Sequence, residues 1–369
     1  MLKGHEFYMN MALEIAKKGL GKTNPNPLVG CVIVKDDKIL ATGYHERIGE
    51  SHAEINAIKN LNENKLDAIG ATLYVNLEPC SHYGKTPPCA NVVANLGLKK
   101  VVVGMLDPNP LVNGKGIKIL RDKGIEVITG VLEDECKKLN EIFINYITNK
   151  RPFVVLKQAM TLDGKIATYK GNSKWITCEK SRQYVHKLRD RLASIVVGIN
   201  TVLKDDPLLS VRHVEKRGND CVKIVVDSKG RLPLDCNLIK NMTFDNEVIL
   251  ATTSKIDESR KNEYIKRGVY VLCLDGENGR VDLNLLMDEL YKLNIDSVLL
   301  EGGGTLNASF LENKLVSKVV FFISPKIIGG INAKTPVLGK GIELMKDAIN
   351  LKNVNVSMID SDIMIEGVL

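Results

Sequence analysis

The chain has 369 residues, of which 44% are hydrophobic and 26% charged, and a formal net charge of +7. That length exceeds one ordinary domain and is read as two, each able to bury its own core, while the composition excludes a disordered chain. The positive charge is spread along the chain and is not gathered in a basic tail, which argues for phosphate-bearing ligands in general and not for nucleic acid in particular.

Residues 5–18 place Phe7, Met11 and Ile15 at helical spacing, which predicts a first helix ending near Gly19 and Gly21. Asn24-Pro25-Asn26-Pro27 follows as a stiff, extended loop, since each proline fixes its own φ and biases its predecessor away from the helical region. Val29 to Val34 and Ile39 to Tyr44, joined by Asp36-Asp37, form a predicted hairpin. His52-Ala53-Glu54 then opens a helix, and Ala71 to Leu77 is a strand that delivers Glu78-Pro79-Cys80 at its carboxyl end. A further helix after Pro88 carries Cys89. Lys100 to Met105 and Glu126 to Thr129 are strands, Gly116 to Lys123 is a helix, and residues 132–147 are read as one closing helix. The polar stretch Thr148-Asn149-Lys150-Arg151-Pro152 marks a domain boundary, giving domains 1–148 and 152–369.

His52, Cys80 and Cys89 are candidate zinc ligands, because catalytic zinc is held by three protein ligands with water in the fourth place. Glu54, two residues after His52, is the candidate acid/base. His-x-Glu followed by Pro-Cys-x-x-Cys is the zinc-deaminase pattern, although here eight residues separate the two thiols. The competing expectation is a structural zinc site with a fourth protein ligand, for which His82, Cys31 and His45 are the spare donors; none has finger-like spacing.

In the second half, Phe153 to Gln158 is a strand, Glu179 to Leu192 a helix, and Ile195 to Gly198 a strand leading into a polar segment from Asn200 to Pro207. Val222 to Asp227, Glu247 to Thr252 and Val269 to Leu272 are further strands, with helices near 257–267 and 282–293. Val298 to Leu300 runs into Glu301-Gly302-Gly303-Gly304-Thr305-Leu306-Asn307, where small residues let backbone N–H groups approach a pyrophosphate at a helix start. It is not Gly-x-Gly-x-x-Gly, so no Rossmann label follows. Arg189 and Arg212 are candidate phosphate clamps, with surface charge as the alternative. Strands at 318–323, 354–359 and 363–368 close the chain.

The spacing Pro79-Cys80 to Pro88-Cys89, together with Lys157 to Gly164, Gly171 to Thr177 and the glycine loop, resembles the bifunctional riboflavin-biosynthesis deaminase/reductase family along essentially the whole chain. The resemblance implies an α/β fold in two domains, a cytidine-deaminase-like α/β/α sandwich and a dihydrofolate-reductase-like half. It implies zinc and NADPH, and 2,5-diamino-6-(ribosylamino)pyrimidin-4-one 5′-phosphate as substrate. NADPH contacts are implied at Ala159, Trp175, Thr201, Asp205 and Ser228, and along Gly303, Gly304, Thr305, Leu306 and Asn307. Substrate contacts are implied at Ser173, Arg189, Leu209, Arg212 and Glu301. Asn24, Asn26, His45, Lys85, Asp107 and Asn109 are further candidates in the first half, each with a plain turn or surface role as the alternative. Lys157 or Asp205 is expected to move a proton in the reductase half.

Eight cysteines without a Cys-x-x-Cys pair or regular framework, no signal-peptide pattern after Lys3, His5 and Glu6, and no run of about 18 apolar residues lead to the expectation of a cytoplasmic, reducing setting with no membrane. A homo-oligomer acting on a small-molecule ribotide, and not on nucleic acid, is expected. The rivals are a nucleic-acid deaminase, which leaves the second half unexplained, and a non-catalytic zinc-stabilised binding module.

Overall fold

A computed structural model of the chain describes residues 4–81, 87–110, 112–212, 214–215, 218, 220–243 and 247–369. The chain divides into two compact units, 1–150 and 151–369.

In the first unit the elements run α1 (His5–Ala16), β1 (Gly30–Lys35), β2 (Lys38–Tyr44), α2 (Ala53–Glu63), β3 (Thr72–Leu77), α3 (Cys89–Val93), β4 (Lys100–Met105), α4 (Lys115–Asp122), β5 (Glu126–Thr129), α5 (Glu133–Leu139) and α6 (Glu141–Asn149). Among the described residues they build a five-stranded sheet in the order β2-β1-β3-β4-β5. β1 is antiparallel to both neighbours, and β3, β4 and β5 are parallel. The expected hairpin forms, with Asp36 and Asp37 both at positive φ, the conformation a two-residue turn between twisted strands requires. β1, β3 and β4 read as nearly continuous apolar runs because both faces of this sheet are buried. Gly43 in β2 lets α2 approach: a Cβ there would stand 2.2 Å from the Ala57 backbone nitrogen.

The single closing helix expected over 132–147 is two helices, broken at Asn140. Asn140 is 2% exposed, and its amide grips both polar groups of the Leu28 backbone, accepting from the N–H at 2.8 Å and donating to the carbonyl at 3.0 Å. Asn76 in β3 grips the same loop, donating to the Leu28 carbonyl and accepting from the Gly30 N–H. The apolar periodicity crosses Asn140 without interruption, so the break comes from this tertiary partner and not from local propensity.

The second unit runs β6 (Phe153–Thr161), α7 (Glu179–Arg191), β7 (Ser194–Gly198), α8 (Ile199–Asp205), β8 (Val222–Val226), α9 (Asn237–Lys240), β9 (Val248–Thr252), α10 (Glu258–Lys266), β10 (Tyr270–Cys273), α11 (Leu283–Lys292), β11 (Ser297–Leu300), α12 (Gly304–Glu312), β12 (Lys318–Ser324), β13 (Lys352–Ile359) and β14 (Asp362–Val368). Its nine strands, among the described residues, lie in the order β10-β9-β8-β7-β11-β6-β12-β14-β13. β10 through β12 are parallel along this order, and β14 and β13 add an antiparallel edge. α8 covers most of the polar segment after β7, to which the sequence assigns no helix or strand, and it tucks Ile199 and Val202 inward. The carboxyl ends of β6, β7, β8 and β11 open towards one side, the edge where ligands of parallel sheets gather.

Candidate active sites

In the first unit three elements bring their ends together. His52 is the N-cap residue of α2, Glu54 lies in its first turn, Cys80 follows the end of β3, and Cys89 is the first residue of α3. One donor atom from each of His52, Cys80 and Cys89 lies within 4.8 Å of the others. Nδ1 of His52 is 3.6 Å from Cys80 Sγ and 3.3 Å from Cys89 Sγ. Ligands at ordinary zinc–sulfur and zinc–nitrogen distances in a tetrahedron stand about 3.6 Å apart, so the donor set fits zinc. Among the described residues no fourth His, Cys, Asp or Glu joins the group; Cys31 and His45 stay outside it, and His82 and Lys85 lie outside the described residues.

The surroundings favour a charged sulfur at Cys80 and a neutral thiol at Cys89. The Cys89 thiol, then His52 and the Cys89 backbone N–H, hold Cys80 down to about 4, against its burial. The same thiol contact and burial push Cys89 up. Glu54 is 3% exposed, and burial raises its carboxyl to about 7 although a bond to Cys89 and the charge of His52 oppose this. A carboxyl that titrates near neutrality beside a metal site can both take and release a proton.

Asn26 and His45 adjoin this group. Nδ1 of His45 faces the Ser51 carbonyl at 3.1 Å, so it carries the proton, and Nε2 accepts from the Asn26 amide at 3.1 Å. Burial lowers the pKa of His45, and its ring stands edge-on to His52 with centroids 5.6 Å apart. Asp107 accepts from the Asn109 backbone N–H at 2.8 Å, as a turn-forming carboxylate does.

The second unit holds a cavity of about 1240 Å³ at the carboxyl ends of its parallel strands. Of the residues expected at the cofactor, Ala159, Thr201, Asp205, Ser228 and the run from Gly303 to Leu306 line it; of those expected at the substrate, Ser173 and Glu301 do. Lys157 also faces it. Gln158 holds the glycine loop in place by donating to the Gly302 carbonyl at 2.6 Å.

Five expected residues are not in the cavity wall. Arg189 reaches it indirectly: its Nε and Nη2 donate to the two Glu301 oxygens at 2.7 and 3.0 Å, so its paired donors are engaged and do not form an open clamp. Lys157 Nζ is 3.2 Å from Glu301 on the other side. Burial would push the Glu301 carboxyl up, but the charges of Arg189 and Lys157 reverse this and hold it well below the usual range. Leu209 is buried at φ 50, and the Arg212 backbone N–H donates to His186. Trp175 is 64% exposed with the Arg182 guanidinium 4.6 Å from its ring centre. Asn307 is buried and donates to the Pro336 carbonyl, which places it behind the wall. The far wall, from Gly276 through the start of α11 at Leu283 and Asn284, and from Lys334 to Leu338, holds no residue that the sequence singles out as a site; a helix is expected near 282–293, but no motif marks its start or the segment from Lys334 to Leu338 as part of a cavity.

Residues 2–105 match the family model of the cytidine and deoxycytidylate deaminase zinc-binding region, and residues 152–365 match that of the RibD C-terminal domain. The riboflavin biosynthesis protein RibD of Actinobacillus pleuropneumoniae is 48% identical over 98% of this chain and 94% of its own. The chain belongs to the RibD family. RibD of Escherichia coli is 36% identical over 97% of each chain. A crystal structure of a diaminohydroxyphosphoribosylaminopyrimidine deaminase/5-amino-6-(5-phosphoribosylamino)uracil reductase from Thermotoga maritima is 41% identical, with a TM-score of 0.86 over 99% of this chain and 98% of that one. The chain is therefore a bifunctional deaminase/reductase of riboflavin biosynthesis, and the zinc-dependent and NADPH-dependent chemistry expected from the sequence is that of its family.

Proposed function

We propose that the first unit, residues 1–148, deaminates 2,5-diamino-6-(ribosylamino)pyrimidin-4-one 5′-phosphate at C2 and that the second, residues 152–369, reduces the ribosyl chain of the product to ribityl. The observation that carries the reading is the convergence of His52, Cys80 and Cys89 within 4.8 Å beside a buried carboxyl. These three residues hold zinc, which when bound supplies Lewis-acid activation of water near neutral pH. Glu54 performs the proton transfers: it takes a proton as water attacks the ring carbon and returns it to the departing ammonia. The amide of Asn26, its orientation set by neutral His45, is offered to the edge of the heterocycle.

NADPH bound in the cavity of the second unit would supply the hydride that C1′ of the ring-opened sugar needs. Glu301, flanked by Arg189 and Lys157, binds sugar hydroxyls, and Ser173 contacts the substrate from the loop between β6 and α7. Lys157 is the proton donor to the ring oxygen as the C1′–O bond breaks, because its ammonium is fixed beside Glu301 within the cavity, whereas the Asp205 side chain lies at the exposed end of α8. The backbone of Gly303, Gly304 and Thr305 at the start of α12 receives the pyrophosphate.

The substrate is a small molecule and not nucleic acid, since the same chain carries the reductase cavity. Eight free thiols support a cytoplasmic, reducing setting, and among the described residues no helix is long and apolar enough to cross a membrane. The edge strand β13 exposes Val354, Val356 and Met358 at 54, 61 and 65%, which supports a homo-oligomer formed through that edge.

The test supplies purified protein with the diamino substrate and NADPH and follows ammonia release and NADPH absorbance separately. Wild type performs both steps. Glu54→Gln is expected to keep its zinc, lose deamination by about 10²–10⁴-fold and still reduce pre-deaminated substrate. Deamination undiminished in that variant would refute the reading.

A further inference from the structure

Glu78 takes no part in the chemistry above, yet its carboxylate is almost wholly buried, at 2% exposure, two residues before Cys80. A buried carboxylate needs hydrogen bonds in return for lost water. Four backbone N–H groups supply them. One oxygen accepts from Asp107 at 3.3 Å and Gly114 at 2.9 Å, the other from Gly116 at 3.0 Å and Ile117 at 3.3 Å. Gly114, Gly116 and Ile117 belong to the start of α4, whose first N–H groups have no partner within the helix. The N-cap residue of α4, Gly114, has no side chain to cap it. A carboxylate 36–39 residues upstream does so instead.

The seam is tight. A Cβ on Gly116 would stand 2.1 Å from the Pro79 carbonyl oxygen, so the start of α4 is pressed against the peptide that links Pro79 to Cys80. α4 also packs on α3, whose first residue is Cys89. Across the same junction the Cys89 N–H donates to Cys80 Sγ at 3.3 Å and the Ala90 N–H to the Cys80 carbonyl at 3.1 Å.

We propose that Glu78 is a positioning residue for the two-thiolate half of the zinc site: by gripping the start of α4 it fixes the strand end that carries Cys80 and, through α4 against α3, the helix start that carries Cys89. It touches neither metal nor substrate. The proposal rests on the reading of His52, Cys80 and Cys89 as zinc ligands.

The experiment measures zinc affinity of the full chain by competition with a chromophoric chelator, and records the thiolate-to-cobalt absorption of the Co²⁺-substituted protein. Glu78→Gln turns an amide NH₂ towards two backbone donors, and should weaken zinc binding about tenfold or more and weaken the cobalt band. Glu78→Asp keeps the charge but withdraws the carboxylate by one methylene, and should weaken binding as well. Gly116→Ala opens the same seam from the α4 side while leaving the Glu78 carboxylate in place, its Cβ 2.1 Å from the Pro79 carbonyl oxygen and 3.2 Å from Glu78 Oε1, and gives a third reading if either variant folds poorly. Wild-type zinc affinity in both Glu78 variants, with only a lower melting temperature, would reduce Glu78 to a helix cap and overturn the proposal. A loss confined to Glu78→Gln would assign the effect to charge and overturn it too. Undiminished zinc affinity in His52→Ala would instead remove the ligand assignment beneath it, an outcome the Glu78 variants alone cannot produce.

Discussion

The two sites of this chain are built on opposite principles. The first is three side-chain atoms within 4.8 Å, brought there by the ends of α2, β3 and α3, with one buried carboxyl beside them. The second is a cavity of about 1240 Å³ whose wall is spread over strand ends, loops and the starts of helices, and mixes a glycine run with charged and apolar side chains. A metal accepts only particular atoms at particular distances, so residue identity carries the first site. A dinucleotide is held by shape and backbone N–H groups, which many sequences can furnish, so position in the fold carries the second.

The sharpest way to break this comparison is to remove the metal. Cys80→Ser, or dialysis of wild type against a strong chelator, should abolish deamination while reduction of pre-deaminated substrate with NADPH continues at its wild-type rate. Ammonia release and NADPH oxidation, measured on the same preparation, decide it. Loss of both activities together would mean that the two units do not work independently.

Next in size is the cluster of fixed charges around Glu301 in the second site. Glu301→Gln keeps the shape but leaves Arg189 and Lys157 facing a neutral amide, and an uncompensated buried charge costs roughly 3–5 kcal/mol. Calorimetry of the full chain should find the transition of the second unit at a lower temperature. The pH dependence has a definite sign. The Glu301 carboxyl is held below its ordinary value of 4.5 in the folded chain, so the unfolded chain binds its proton more readily. The advantage of wild type over Glu301→Gln is thus fully present above pH 4.5 and shrinks as pH falls below it. An advantage that grew in acid would contradict the ion-pair assignment.

How much could be read from residues alone follows the same division. The convergence of His52, Cys80 and Cys89 was legible because zinc chemistry would fix their types and the flanking apolar patterns fix which helix or strand end bears them, and Glu54 follows from its place two residues after His52. The hairpin at Asp36-Asp37 and the buried parallel strands were legible for local reasons as well. The break at Asn140 was not, since its cause is the Leu28 backbone 112 residues away. No helix over 199–205 is legible, because seven residues that include Thr201 and Val202 have weak helical preference, and burial of Ile199 and Val202 against the unit stabilises them. In the second site the glycine loop was visible, whereas Arg189 looked like a free phosphate clamp until Glu301 was found to occupy its fork. The far wall, from Lys334 to Leu338, has neither charge pattern nor period to announce it.

The smallest effect is the most discriminating for the backbone-built site. Gly303 and Gly304 are adjacent, yet the structure asks different things of them. Gly303 has φ −79, and a Cβ there would meet nothing within 4 Å, so the fold has no need of glycine at this position. At Gly304 a Cβ would stand 2.6 Å from the Thr335 carbonyl oxygen and 2.7 Å from Leu338 Cγ, so packing against the far wall demands it. Gly304→Ala should therefore lower the melting temperature, at a cost of about 1–3 kcal/mol for overpacking. Gly303→Ala should leave the melting temperature alone and raise the KM for NADPH roughly tenfold, because its methyl projects into space that the pyrophosphate backbone contacts require. An unchanged KM in Gly303→Ala would move the cofactor phosphates away from the start of α12, and the second site would then have to be rebuilt around Thr201 in α8 and Ser228 just after β8.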